Sequence, residues 1–213
     1  MEASPKLHSS VIFNIAKVAT NPLGYLLATN SVDGVLKLVQ ATLESFTPQD
    51  STLFYKEVYE HAQRSVTTVT HFKDNLMAFT NENKLTIFDC EALKEVSTHH
   101  TSKSPQMLRI SPVDQTTIAA ASEKHLSLID VYNNAKTLNV KIGKDIRTVT
   151  ALSEYRVLYA CESGEMGVFD RRKGRSIWHD SHQHKSRIYD VAQMGKRLIS
   201  IDQNGQILTW NPQ

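Results

Sequence analysis

The run "HDSHQH" places His179, His182 and His184 within six residues. Imidazole nitrogens ligate zinc, and a structural zinc takes four nitrogen or sulfur ligands in a tetrahedron. No cysteine lies near this run to complete such a site, and "HH" at 99–100 is a shorter stretch of the same kind. Nucleophilic catalysis has its own signatures: a Gly-x-Ser-x-Gly elbow, a cysteine in a paired motif, or a glycine-rich loop that cradles phosphate. None is present, and only 8 glycines occur in the chain. We expect no metal, no cofactor and no catalytic residues.

The elements that hold these histidines follow from a second pattern. In "EMGVFDR" (165–171), apolar residues alternate with others, then comes a large side chain, then Asp. The pattern recurs in "VLKLVQ" (35–40), "KLTIFDC" (84–90), "HLSLIDV" (125–131) and "QILTWNP" (206–212). Its large residues, taken as anchors, are Val39, Phe88, Ile129, Phe169 and Trp210, spaced by 49, 41, 40 and 41. The longer first spacing has its surplus in the polar, Pro48-containing stretch "ATLESFTPQD" (41–50). Upstream of each anchor lie two more alternating stretches rich in Val, Ile, Thr, Tyr and Phe, as half-buried strands require. A fourth strand follows at 52–60, 94–100, 135–142 and 175–180.

Four-stranded units repeating every 40 or so residues are the mark of a β-propeller. The predicted fold is all-β. About five four-stranded blades form one domain over 1–213, with units about 11–60, 61–100, 104–142, 145–180 and 184–213. Within each unit the strands are named a to d. The anchor should fill the space between adjacent blades. The Asp after it should end strand c and accept a backbone N–H at the turn. "RRKGR" (171–175) is then a solvent-facing turn rather than a nucleic-acid or nuclear-localisation patch. Unit five reaches Gln213 without a strand d, which would leave an open sheet edge. Residues 4–13 are expected to pair beside the strand of Trp210 and close the ring. A partner chain adding a strand is the alternative, leaving an open or partner-completed ring.

The remaining composition is that of an ordinary globular chain. Of 213 residues, 40% are hydrophobic and 22% charged, enough to bury a core without disulfides. The net charge of +2 does not point to nucleic acid as a direct ligand. Cys90 and Cys161 suit a reducing compartment, and both fall in predicted strands. No apolar run approaches the roughly 20 residues of a membrane helix. The start "MEASPKLHSS" lacks the basic and apolar regions of a signal peptide. A cytoplasmic or nuclear protein, without membrane contact, is expected.

The layout resembles the WD-repeat family over nearly the whole chain. "DQNGQILTWN" (202–211) is similar to the family signature, with Asn211 in place of Asp. "FDRRKGRSIW", "FDCEALKEV" and "IDVYNNAKTL" resemble the same turn with Phe or Ile in place of Trp. The resemblance matches the family's His before strand a to His61 and His184. It matches the family's b–c turn Asp to Asp33, and less closely to Glu82, Glu123, Ser163 and Asn204. "FDRR" (169–172) faintly resembles the W-D-x-R box of WD-repeat receptors for cullin–RING ubiquitin ligases, with Phe169 replacing Trp.

With no metal or catalytic motif, what remains is a non-catalytic protein–protein interaction scaffold, expected to be an adaptor or subunit of a larger complex. The alternatives are a cullin–RING substrate receptor, or a propeller enzyme or sugar binder. An enzyme of the last kind needs two or three central carboxylates; in the a strands, Asp190 is the clearest one. A propeller presents its d–a and b–c loops on one face, where a rigid frame lets loops carry function. The candidates there for a protein partner are Arg64, Glu82, Glu123, Lys144, Glu162, Lys185, Arg187 and Tyr189. Beside them lie Ser65, Asn81, Ser122, Asp145 and Ser163. Arg187 and Tyr189 lead, because Arg and Tyr are over-represented among interface hot spots.

Overall fold

The computed structural model describes residues 7–21, 24–43, 53–61, 65–82, 84–100, 109–133 and 137–211. They form five antiparallel sheets, the blades of a β-propeller, with no helix among them. Contacts divide the chain into two compact units, 1–100 and 101–213.

The first unit holds two blades. Blade one is β1 (Ile12–Asn21), β2 (Gly24–Ser31), β3 (Leu36–Leu43) and β4 (Leu53–His61). Blade two is β5 (Val66–Lys73), β6 (Leu76–Asn81), β7 (Lys84–Asp89) and β8 (Lys94–His100). The second unit holds three. Blade three is β9 (Arg109–Pro112), β10 (Thr117–Ser122), β11 (His125–Asp130) and β12 (Leu138–Lys141). Blade four is β13 (Ile146–Ser153), β14 (Arg156–Cys161), β15 (Met166–Asp170) and β16 (Arg175–Asp180). Blade five is β17 (Ile188–Met194), β18 (Arg197–Asp202) and β19 (Ile207–Trp210). Every blade runs as a simple meander, each strand bonded to the next in sequence.

All five anchors are buried, from Phe169 at 0% exposure to Trp210 at 5%. Phe88 packs with Ala28, Leu36 and Leu38 of blade one. Phe169 packs with Ala119, Ala121 and Leu126 of blade three, and Trp210 with Leu158, Met166 and Val168 of blade four. Each of these anchors therefore seals its blade against the one before it. Blade four lies between blades three and five, so its strand c, β15, is covered on both faces and buried at every residue. That explains its near-continuous apolar sequence.

The Asp after the anchor does what the turn requires. Asp89 Oδ1 accepts the N–H groups of Glu91 and Ala92, both at 2.9 Å. Asp130 Oδ1 accepts those of Tyr132 and Asn133, both at 3.0 Å. Asp170 Oδ1 accepts those of Arg172 (2.9 Å) and Lys173 (3.4 Å). Gly174 closes the last turn at φ +64°, donating to the Asp170 carbonyl. Cys161 lies within β14 as expected, but Cys90 follows β7 in its turn rather than sitting inside a strand. Both thiols are free and buried, and burial pushes each up to about 12.

The expected clasp is corrected. Ile12 and Phe13 open β1, and the residues before them fold onto blade one itself. Val32 donates to the Val11 carbonyl at 2.9 Å, and His8 Nε2 meets Thr29 Oγ1 at 2.9 Å. Among the described residues β19 has one neighbour, β18, and blade five has three strands. "KLHSS" is too polar to add a half-buried strand, and its His8, Ser9 and Ser10 find hydroxyl and carboxylate partners or solvent instead. Residues 4–6 lie outside the described residues.

Blade five carries a four-member polar chain beneath its anchor. Trp210 Nε1–H donates to Ser200 Oγ at 2.6 Å, Ser200 Oγ lies 2.6 Å from His184 Nε2, and His184 Nδ1 lies 3.1 Å from Asp202 Oδ2. A carboxylate only accepts, so Nδ1 carries the ring proton and Nε2 accepts from the serine. Every member is buried and partnered. Trp210→Phe and Ser200→Ala should each lower stability by about 1–3 kcal/mol, since each orphans a buried polar group. The double variant should cost less than the sum, with a coupling of about 0.5 kcal/mol or more. Denaturant titration of the four proteins reads this directly; strict additivity would show that the chain is not a unit.

Acid should expose the Asp170 turn. Hydrogen bonding from Arg172, against the opposing effect of burial and aided by the Arg172 and Lys173 N–H groups, holds the Asp170 carboxyl at about 2. An unfolded Asp titrates near ~3.9. The stabilisation is then complete above that value and is lost as pH falls towards and through about 2. Unfolding curves across that window should fall less steeply for Asp170→Asn than for the parent protein.

Candidate functional site

The histidine run at 179–184 does not converge. His179 Nε2 faces Glu165 Oε2 at 3.5 Å, and His182 Nε2 meets Ser181 Oγ at 3.2 Å. His184 turns inward to Ser200 and Asp202. Asp180 caps the bend between them, accepting the N–H groups of His182 and Gln183. At the other pair, His99 is buried with Nε2 at 3.0 Å from Ser97 Oγ. Among the described residues no group of three His, Cys, Asp or Glu side chains is placed to hold a metal ion.

The histidines matched by spacing have different surroundings. His184 and His61 precede their anchors by 26 and 27 residues, but only His184 meets a hydroxyl and a carboxylate. The partner of His184 is Asp202 rather than Asn204, which stands at the expected turn position. The residue two past the one opposite the anchor decides the environment: Ser200 in blade five, Phe79 in blade two. His61 accordingly packs edge-on to the Phe79 ring, centroids 4.8 Å apart, and burial holds its pKa below the usual value. Sequence reasoning missed His8. It lies 31 residues before Val39, outside the spacing rule, yet it bonds Thr29 and approaches Asp33 Oδ2 at 3.5 Å. Its signal is Asp33 itself, whose carboxylate also accepts from the Ser9 backbone, the Ser9 hydroxyl and Val35 N–H.

Five of the loop candidates, Lys144, Glu162, Lys185, Arg187 and Tyr189, gather on blades four and five. Glu162, in the b–c turn of blade four, sits 3.3 Å from both Arg147 Nη1 and Arg187 Nη2. Lys144 reaches Glu165 at 3.3 Å, and Glu165 also faces His179. The main chain sets this geometry. Glu162 N–H donates to the Asp145 carbonyl and Gln203 N–H to the Arg187 carbonyl, both at 2.8 Å. Gly164 lets the two blades meet: at φ +86°, a Cβ there would lie 2.7 Å from the His184 carbonyl oxygen and 2.9 Å from that of Ser186. Any side chain would push the blade-four turn off the blade-five loop.

Tyr189 lies beside this network at a register shift in β17, where Ile188 pairs with Asp202 and Asp190 with Ile201. Such a bulge re-aims a side chain, and Tyr189 is 48% exposed. Lys185 is exposed in the same loop. Arg147 and Glu165 join the site without having been singled out from the sequence, because a charge within an ordinary alternating strand carries no signal of its own. Glu82 and Glu123 are exposed in the two-residue turns of blades two and three, both at positive φ (53° and 36°), as such hairpins demand. Glu123 also accepts Ile146 N–H through its carbonyl. Glu82 belongs to the first unit and Glu123 to the second. Arg64 lies outside the described residues. Asp190 Oδ1 accepts its neighbour Val191 N–H at 2.9 Å.

Two arginines flank one carboxylate, a lysine and a histidine flank another, and a tyrosine stands exposed beside them. Ion pairs of this exposure contribute about 0–1 kcal/mol each to stability, so they hold side chains in place more than they hold the fold. No protein-family model matches the chain, and no curated protein matches it.

His182→Ala should leave the melting temperature unchanged and untagged protein should contain no stoichiometric zinc by elemental analysis. His184→Ala should cost about 1–3 kcal/mol, because Asp202 and Ser200 lose their buried partner. Stoichiometric zinc whose loss accompanies His182→Ala would reverse this assignment.

Proposed function

We propose that the chain is a WD-repeat-like propeller that acts as a non-catalytic protein–protein interaction scaffold, an adaptor or subunit of a multiprotein complex. The observation that carries the reading is the Arg147–Glu162–Arg187 bridge with Tyr189 exposed beside it. It is a prearranged set of the side-chain types that dominate interface energetics, fixed by backbone bonds between neighbouring loops. The polar chain under Trp210 supports the family reading, since it engages the histidine and tryptophan that carry the resemblance. The partner is a protein; neither a nucleic acid nor a membrane is its direct ligand. Two free, buried thiols favour a cytoplasmic or nuclear setting.

A second reading adds to the first. The outer edge of β19 is unpaired among the described residues, and Ile207 beside it is 64% exposed. A partner strand could complete blade five there by β-augmentation. The cullin–RING receptor reading rests on Phe169–Arg172. Within that motif Arg172 is bonded to Asp170 at 3.1 Å and Arg171 to Asp114 at 2.8 Å.

Affinity purification with mass spectrometry, run on the parent chain and on Arg187→Ala/Tyr189→Ala, tests the scaffold. The double variant should fold normally and lose a defined subset of copurifying proteins. Against the purified partner its affinity should fall by about 2 kcal/mol or more. An identical set of partners at unchanged affinity would remove this face from the function.

A further inference from the structure

The opposite end of blades four and five holds a second feature. A groove of about 280 Å³ opens between the a–b and c–d turns there. Its floor is apolar: Leu152, Val168, Ile177, Trp178 and Leu198. Its rim is cationic: Arg156, Arg172 and Lys196. Both the shape and the charge have local causes.

Two bulges make the floor. In β13 the register passes from Ala151 to Ser153, leaving Leu152 unpaired, and between β15 and β16 it passes Ile177. In a regular strand Ile177 and Trp178 would point to opposite faces. The bulge lets both pack towards blade five, with Leu152, on the cluster around Trp210. Trp178 stands edge-on to Trp210 at 5.8 Å and remains half-buried rather than sealed.

The rim carries more cations than the fold uses. Asp170 is buried and contacts Arg172 at 3.1 Å and Arg156 at 3.9 Å, so one carboxylate serves two guanidinium groups. Arg172 also lies over the Tyr155 ring at 4.3 Å, and Glu154 is directed to the Tyr155 hydroxyl. Arg156 and Arg172 are still 46% and 55% exposed, and Lys196 is exposed. Lys173, Arg175 and Arg197 extend the same positive surface.

We propose that this groove binds an acidic linear peptide segment, inserting one aliphatic or aromatic side chain against Trp178 and setting its carboxylates on Arg156, Arg172 and Lys196. The volume suits one or two side chains and lies below the usual range of about 300–1,000 Å³ for small-molecule pockets. A single-stranded nucleic acid would want a row of stacking rings along a basic track. The groove offers one indole set among aliphatic side chains, which select a peptide. The proposal stands apart from the loop surface at the other end of the blades.

Selection of a random dodecapeptide library on the immobilised full chain tests it. Enriched peptides should contain Asp or Glu on both sides of Leu, Ile or Phe. Synthesised, they should change Trp fluorescence in the parent protein and lose that change in Trp178→Phe. Arg156→Glu/Lys196→Glu should weaken them about tenfold or more, with added salt weakening the parent similarly. Lys141→Glu, a charge reversal on β12 matched to Lys196→Glu, should leave binding intact and so separates a site effect from a change in net charge. Thermal melting of each variant confirms that it is folded, and Lys196→Glu alone serves if the double variant is not. No enrichment, enrichment without acidic residues, affinity unmoved by Lys196→Glu, or tighter binding of oligothymidine than of any peptide would overturn the proposal.

Discussion

In blades two, four and five, one large side chain at the end of the third strand, sealed from water by the blade before it, underlies the architecture. Burying Phe88, Phe169 or Trp210 removes enough apolar surface to decide which face of the strand points inward. Because side chains alternate, that choice fixes the register of the whole blade. Once strand c is placed, the next residue stands at a turn with exposed N–H groups, and a carboxylate there satisfies two of them. Anchor and Asp are therefore one device: the first sets the sheet and the second ends it.

The position diagonal to the anchor shows how the blades accommodate the same geometry with different chemistry. It holds Thr29, Phe79, Ala120, Tyr159 and Ser200 in turn. Where it is a small hydroxyl, a buried histidine meets it: His184 bonds Ser200 and goes on to Asp202, and His8 bonds Thr29 and lies 3.5 Å from Asp33. Where it is Phe79, the histidine remains but packs edge-on to the ring. In blade four Tyr159 fills the space and bonds Ser176, and Gly167 opposite gives it room, since a Cβ there would run into the ring. Blade five thus holds the complete polar chain, whereas Phe79 in blade two and Tyr159 in blade four fill the same space with a ring.

Blades four and five present two unlike ends. At the d–a and b–c end, cations and anions alternate and neutralise one another across backbone-fixed loops. At the a–b and c–d end, one buried carboxylate is shared by two arginines, and the surplus positive charge surrounds an apolar depression. The difference follows from turn chemistry. The b–c turn needs Gly164 and leaves neighbouring positions free for Glu162 and Glu165. The c–d turn uses Asp170 as its cap and follows it with "RRKGR", whose basic side chains cannot all find an anion.

Period and alternation are local properties, and they carried the fold class, the number of blades and the role of the turn aspartates. The four d strands and the burial of all five anchors were legible for the same reason: spacing alone decides them. Three features were not. The start of the chain was read as a closing strand, but its polar side chains had better partners in blade one, an energetic comparison that no periodicity contains. His61 and His184 have almost the same spacing, yet one packs edge-on to Phe79 and the other bonds Ser200 and Asp202, because the residue across the sheet differs. Arg147 and Arg187 are 40 positions apart in sequence, and only the contact between neighbouring blades brings both onto Glu162. The sequence determined which side chains each blade must bury. The tertiary structure decided which charged groups meet between blades, because that depends on how turns from different repeats approach in space.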